Sequence, residues 1–416
     1  MATLLERASG ASSTVNSFIG SALQIEVLQS KGAMIVVGLA LFIFVIVISV
    51  QSFGFESATN ILRQESKAAG SWSKYESTPR DSLAKTLYKL QQNSGEAKDS
   101  FLTSNFYWYT ANMGGMFVSN GSRPVVSPKA IRLALLGGAR CFVLDIWPDL
   151  TPGDGQYAPI VQHVAAGSAW KRDSMNAVPL AAILALLVQE AYGVQRESTN
   201  TDPLMLYLRF KGYPRKSTFD FTAKVLESTI QPYRLDASYN RCRGQALIPI
   251  QNIAMFSKQI IVAANVIAAD SVLGDYINIG PLTGATLEYD PNFSKQLPSE
   301  AGAASGMKLS AINAIKQNIS FVAPDDAGNS WDIAGCASVG VHCLAFNFGT
   351  LAIPKDAPTY SPKAGLPMSF ENASFILKPV PLRIVPSTIP APPLPPDFKF
   401  NGGNITQPSA LSTPGY

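Results

Sequence analysis

Between Gly137-Gly138 and Pro148 the chain carries Cys141-Phe-Val-Leu-Asp-Ile-Trp147, in which Asp145 is the single charged residue. A run this short and this apolar fits a strand covered on both faces, as in parallel α/β sheets. Asp145 near its end admits two readings. It caps the turn that follows, or it belongs to a site at a barrel mouth, where functional side chains gather at the C-terminal ends of parallel strands. Either way, a buried carboxylate is costly unless a cation or donors satisfy it.

The rest of the chain supplies the context such a strand needs. Phe101 to Tyr109 reads as a first strand and its loop. Ser127-Pro128 opens a helix running through Leu136, with proline at the first helical position. Val178 to Ala191 reads as a helix that Gly193 ends. Pro203 to Phe210 and Ser257 to Asn265 read as further buried strands, with a helix beginning at Phe221 to Leu226 between them. Alternation of helices with apolar strands predicts a parallel α/β design. Residues 267–306, rich in Gly, Ser, Asn and Pro, read as an irregular insertion.

Outside this block the chain changes character. Residues 1–31 are small and polar and show no packing pattern. Residues 32–53 contain Gly32 to Val50, an uncharged stretch close to the ~20 residues that cross a bilayer. A secretory signal would lie nearer the terminus with a shorter apolar core. The expectation is one transmembrane helix, and the lipid bilayer is the partner of residues 32–53. Arg7 and Lys31 precede it; Arg63, Lys67 and Lys74 follow, which puts the large domain on the cytoplasmic side. Residues 54–98 read as a stalk or linker with a helix-forming stretch from Ser82 to Gln92. Residues 386–416 form a Pro-rich tail, including Pro390-Ala-Pro-Pro-Leu-Pro-Pro396. Such a segment favours extended polyproline geometry. It reads either as a disordered end or as an arm along partner subunits.

Composition excludes some classes. A net charge of +4 spread over 416 residues, without a basic run, gives no case for nucleic acid. Hydrophobic residues make up 47%, ample for a large core. Cys141, Cys242, Cys336 and Cys343 form no C-x-x-C pair and read as buried thiols, with no zinc spacing. Sequons stand at Asn120, Asn292, Asn318, Asn372 and Asn404; they matter only if the domain enters a secretory lumen.

The run Gly138-Ala-Arg140-Cys141-Phe-Val-Leu144-Asp145-Ile-Trp147, with Pro159-Ile-Val-Gln-His163 after it, resembles the first catalytic half of eukaryotic-type phosphoinositide-specific phospholipase C. Gly340-Val-His-Cys-Leu-Ala-Phe-Asn347-Phe-Gly-Thr350 and Ser374-Phe-Ile-Leu-Lys378-Pro379-Val-Pro-Leu-Arg383 resemble two runs of the second half, in the right order. The resemblance covers about residues 100–385. It implies a distorted TIM (β/α)8 barrel of X–Y type, with a domain at 99–385 and the insertion between the halves.

The same resemblance implies a site for phosphodiester cleavage around calcium, with two histidines flanking the phosphate. Carried over residue by residue, most of that site is substituted. Thr103-Ser104-Asn105-Phe106-Tyr107 aligns with the family's first-histidine motif, so Asn105 replaces the histidine and Phe106 a calcium ligand. An amide exchanges no proton near neutral pH. Val143 replaces a calcium glutamate, Arg209 the strand-four glutamate, and Ala263 a basic substrate-binding residue. Asp145 and His163 are the remnants. The expectation is no catalytic residue, no metal and no cofactor. Positions i and i+2 share a strand face, so Val143 and Asp145 point the same way. Arg209 is then expected to stand where calcium would, paired with Asp145; the alternative sends both charges separately to solvent. His163 reads as a packed or hydrogen-bonded residue.

Three functions follow from these expectations. The first is a membrane-anchored, catalytically inactive structural or scaffold protein. Emptied barrels of this kind resemble structural proteins of large DNA viruses, which implies a virion membrane or minor capsid protein with capsid-type partners. The second is a membrane-tethered phosphoinositide phosphodiesterase with an altered site. The third is a module that binds a phosphoinositide headgroup, with Arg209 meeting a phosphate.

Overall fold

The computed structural model describes residues 81–385 apart from 113–115, 120–121, 154, 165–171, 194–200, 240–247, 269, 281–287, 291–292, 294–303, 325–331, 347–369 and 371–372; before 81 it describes 38–40, 42, 43, 61, 63, 65 and 66. The 32–53 segment lies outside the described residues except for 38–40, 42 and 43, which are helical and exposed. Among the described residues no helix is long and apolar enough to cross a membrane. Residues 1–31 and the tail from 386 also lie outside them.

The strands are β1 (Phe106–Ala111), β2 (Met116–Ser119), β3 (Ser122–Val126), β4 (Cys141–Pro148), β5 (Pro159–Val161), β6 (Val178–Pro179), β7 (Leu204–Phe210), β8 (Ile260–Ala264), β9 (Phe321–Val322), β10 (Cys343–Phe346) and β11 (Phe375–Leu377). The longer helices are α1 (Leu83–Ser94), α2 (Lys129–Leu136), α3 (Leu180–Tyr192), α4 (Lys216–Ile230), α5 (Ala304–Gln317) and α6 (Ile333–Ser338). β9, β10, β1, β4, β7 and β8 lie side by side, every pair parallel. Parallel bridges continue the ring at both ends, from Ala263 in β8 to Ile279 and from Phe321 in β9 to Glu288. Residues 277–279 and 288 thus belong to the barrel wall. The Gly- and Ser-rich composition of 267–306 concealed these short staves, because single-bridge strands carry too few residues for a periodic pattern.

Strand alternation separates two cores. Phe106, Trp108, Cys141, Val143, Met205, Tyr207, Ile261, Ala263, Phe321 and Cys343 fill the barrel interior. Tyr107, Tyr109, Phe142, Leu144, Leu206, Leu208 and Val262 face the other way, into the core shared with the helices, and the Tyr107 hydroxyl donates to the Ala337 carbonyl in α6 at 2.7 Å. This is the period of two expected of strands buried on both faces.

The stretch assigned to a linker contributes to the barrel. Ser82 accepts a bond from the Lys85 N–H and caps α1, and Gly95 ends the helix in the left-handed region at φ 64°. Leu83 is buried, and Leu87 and Leu90 pack against the interior cluster. The Leu83 N–H donates to Asp202 Oδ1 at 2.7 Å, and Arg140 Nε meets Asp202 Oδ2 at 3.1 Å. One buried ion pair therefore ties α1 to the N-terminal ends of β4 and β7. Further back, Lys129 at the start of α2 pairs with Glu65 at 2.7 Å.

Between β9 and β10, fully buried His342 is held by its neighbours. Its Nδ1 accepts from the Ser320 N–H at 3.2 Å, and Nε2 lies 2.9 Å from the Ser104 carbonyl oxygen. That pair of contacts selects the neutral form protonated on Nε2. Burial, reinforced by nearby Lys378, keeps its pKa well below the ordinary imidazole value. The unfolded chain takes up a proton below about pH 6.5 while the native ring does not, so stability falls as pH drops through that range. Urea midpoints at pH 7, 6 and 5 should decline by up to about 1.4 kcal/mol per unit in unfolding free energy, with a flatter profile for His342→Gln.

Candidate functional site

The mouth of the barrel, at the C-terminal ends of β4 and β7, holds a charged cluster. Asp145 and Arg209 are direct neighbours in the β4–β7 register. Both side chains point inward, two positions beyond Val143 and Tyr207. Arg209 is fully buried, and its Nε donates to Asp145 Oδ1 at 2.6 Å. Its Nη1 donates to Glu288 Oε1 at 3.0 Å and to the Ala323 carbonyl at 2.6 Å. Tyr207 donates its hydroxyl to Glu288 Oε2 at 2.7 Å and stacks on Phe321 with centroids 4.1 Å apart. Burial, and then the Glu288 carboxylate, push the Tyr207 hydroxyl far above the usual phenol range, so it remains a donor.

A guanidinium here is the counter-ion of two carboxylates, held at fixed geometry by strands. The pairing of Arg209 with Asp145 is present; separate solvation of the two is not. Glu288 is the partner that sequence reasoning missed. It sits where no local pattern marks a strand, and only the bridge to Phe321 brings it to the mouth.

The remaining candidates are scattered. Val143 lies in the interior cluster beneath Asp145, and Ala263 lies in the same cluster on β8. His163 follows β5 and is buried, with Nε2 3.9 Å from Asp173 Oδ2. Its backbone N–H donates to Ser174 Oγ at 3.2 Å, and its carbonyl accepts from the N–H groups of Asp173 and Ser174. The imidazole thus stands on a loop fastened to residues 172–174.

Asn105 and Phe106 require a correction. They do not stand in the loop after the first strand. Asn105 ends a 3-10 turn that precedes β1, and Phe106 is the first residue of that strand. Both lie at the N-terminal foot of the barrel, the opposite end from Asp145. The Asn105 amide instead clamps the chain's return. Nδ2 donates to the carbonyls of Ser100 at 2.8 Å and Ile384 at 2.9 Å, and Oδ1 accepts from the Ile384 N–H at 2.7 Å. The residue that leaves β1 at the mouth is Asn112, buried, with its N–H on the Phe346 carbonyl at 2.6 Å and Nδ2 on the Pro324 carbonyl at 2.9 Å. The short motif Ser104-Asn105-Phe106 was matched one strand-length too early.

A calcium ion in such a mouth would need six to eight oxygen ligands. The donor set does not fit one: the two carboxylates brought together here, Asp145 and Glu288, both bind the buried Arg209. Among the described residues no group of three or more His, Cys, Asp or Glu side chains is placed to hold a metal.

The parallel strands, their two-faced core and the charged mouth make up an α/β barrel. No family model matches the chain, and no curated protein matches it. Among solved structures it is similar to L. pealei PLC21, at 15% identity and TM-score 0.48, over 68% of this chain and 38% of that one. S. officinalis PLC21 matches at 15% identity and TM-score 0.47, over 71% and 40%. A calcium-dependent phosphoinositol-specific phospholipase C from a Pseudomonas species matches at 11% identity and TM-score 0.35, over 61% and 96%. The chain spans about two-fifths of the length of the two PLC21 structures. These likenesses concern the fold alone.

Proposed function

We propose that this chain is a non-enzymatic structural protein, a phospholipase C-like barrel tethered to a bilayer by residues 32–53. The observation that carries this reading is Arg209, which brings a permanent positive charge, buried and paired with Asp145 and Glu288, into the barrel mouth. Calcium chemistry needs the opposite sign there. A metal would lower the charge on the attacking hydroxyl and on the phosphate, and its loss removes several kcal/mol of stabilisation. A missing acid or base removes a further factor of about 10²–10⁴. The same pairing weighs against a headgroup site, since the charged contacts of Arg209 among the described residues, Asp145 and Glu288, are carboxylates of its own fold. The finer version is a virion component, a minor capsid or virion membrane protein whose partners are other shell proteins.

The test is phosphoinositide turnover by the purified full chain, measured on mixed micelles with and without calcium. The expected result is no release of inositol phosphate above the buffer blank in either condition. Calcium-dependent turnover that disappears in His163→Ala would overturn the proposal and restore the enzyme reading.

A further inference from the structure

The loops beyond β4 and β7 enclose a second feature of the mouth, separate from the Arg209 cluster. It is a groove of about 320 Å³ lined by Pro148, Leu150, Tyr157, Gly212, Tyr213 and Arg215. Tyr157 and Tyr213 both adopt positive φ, 69° and 51°. Bulky side chains rarely occupy this region, and where they do the strain collects at ligand clamps and switch segments. Arg215 lies over the Tyr157 ring, 4.6 Å from its centroid. Tyr213 is 82% exposed and Leu150 54% exposed, so apolar surface is open to solvent here.

We propose that this groove binds the end of the chain's own Pro-rich arm, with Pro393–Pro396 on the tyrosine faces and Asp397 against Arg215. Aromatic-lined grooves are the general receptors for polyproline segments, because the ligand is already extended and loses little entropy on docking. Charge complements as well: Leu394-Pro-Pro-Asp397 delivers a carboxylate directly after the proline run, and the groove offers a guanidinium. The chain path permits it. Asn105 holds Ile384 at the foot of the barrel. At about 3.1 Å per residue in polyproline geometry, the nine steps from Ile384 to Pro393 cover about 28 Å and the thirteen to Asp397 about 40 Å. The climb along β4 is about 26 Å, eight residues at about 3.3 Å. The inference depends on neither the anchor nor the loss of catalysis.

The test uses the purified full chain at low concentration with phosphatidylcholine vesicles present, with Leu394→p-benzoylphenylalanine as photo-crosslinker. Peptide mapping should find adducts within the same chain, on residues 148–157 or 212–215. Arg215→Glu should lower the yield about five-fold, the scale of an exposed ion pair. Combining it with Asp397→Arg should restore the yield. Adducts to lipid would reassign the groove to the bilayer, and adducts only to other copies or to other surfaces would equally overturn the proposal. So would a yield that Arg215→Glu leaves unchanged.

Discussion

Arg209→Ala is expected to lower the unfolding free energy by about 3–5 kcal/mol, the cost of removing one partner from a buried charge cluster. The loss is not that of one hydrogen bond. Removing the guanidinium strands Asp145 and Glu288 close together, and leaves the Ala323 carbonyl without its donor. Two neighbouring carboxylates without a cation repel each other, and one must take up a proton to relieve this. The defect should therefore be smaller at acid pH, where that proton is available. Replacing the charges together gives the contrasting arm. Arg209→Met with Asp145→Leu and Glu288→Gln should recover most of the loss, because apolar substitution of a whole buried ion cluster is close to neutral. Urea unfolding of the purified chain, followed by tryptophan fluorescence, reads both. A loss in Arg209→Ala below about 1 kcal/mol would mean that the cluster is solvated and worth no more than a surface pair.

Asn105→Ala is expected to cost about 2–4 kcal/mol. The amide makes three hydrogen bonds, each worth about 1 kcal/mol net, and its removal orphans backbone groups in a half-buried seam. What is lost is specific. Ile384 is released, and with it the end of the segment that carries β11 along β1. Limited proteolysis should then cut near residues 378–385 well before the barrel opens. Asn105→His separates the geometric account from the motif alignment. If Asn105 stood at an emptied catalytic position, a histidine would be tolerated there. As a clamp at the foot of the barrel it should not be, and Asn105→His should destabilise nearly as much as Asn105→Ala.

These two residues show where sequence reasoning succeeded and where it did not. Arg209 and Asp145 sit on long, strongly apolar strands that local composition marks, and the resemblance to the phospholipase family placed both at the same mouth, so their pairing was expected from position and charge. Asn105 sits in a turn, and a five-residue motif match there had no strand boundary to anchor it. The true start of β1, Phe106, is apolar like the residues on either side of the turn, which made the boundary invisible to a hydrophobicity argument. Glu288 was missed for a related reason: its stave pairs through a single bridge, and no periodicity survives in so short a piece. The same holds for α1. Its cap at Ser82 and its glycine stop were legible, but its burial beneath the barrel depends on Asp202 and Arg140, more than forty residues beyond the end of the helix.

The linear chain alone determined the parallel α/β design, the strands that carry Asp145 and Arg209, and the uncharged segment at 32–53, because each is written in local composition, as a short apolar run between turn signals or a long run without charge. Tertiary structure alone decided which end of the barrel Asn105 occupies, that Glu288 joins the Arg209 cluster, and that two strained tyrosines share a groove with Arg215. Those are consequences of ring closure. A barrel brings together side chains whose separation along the chain carries no signal, and the sign and distance of the charges that meet there are set only when the ring closes.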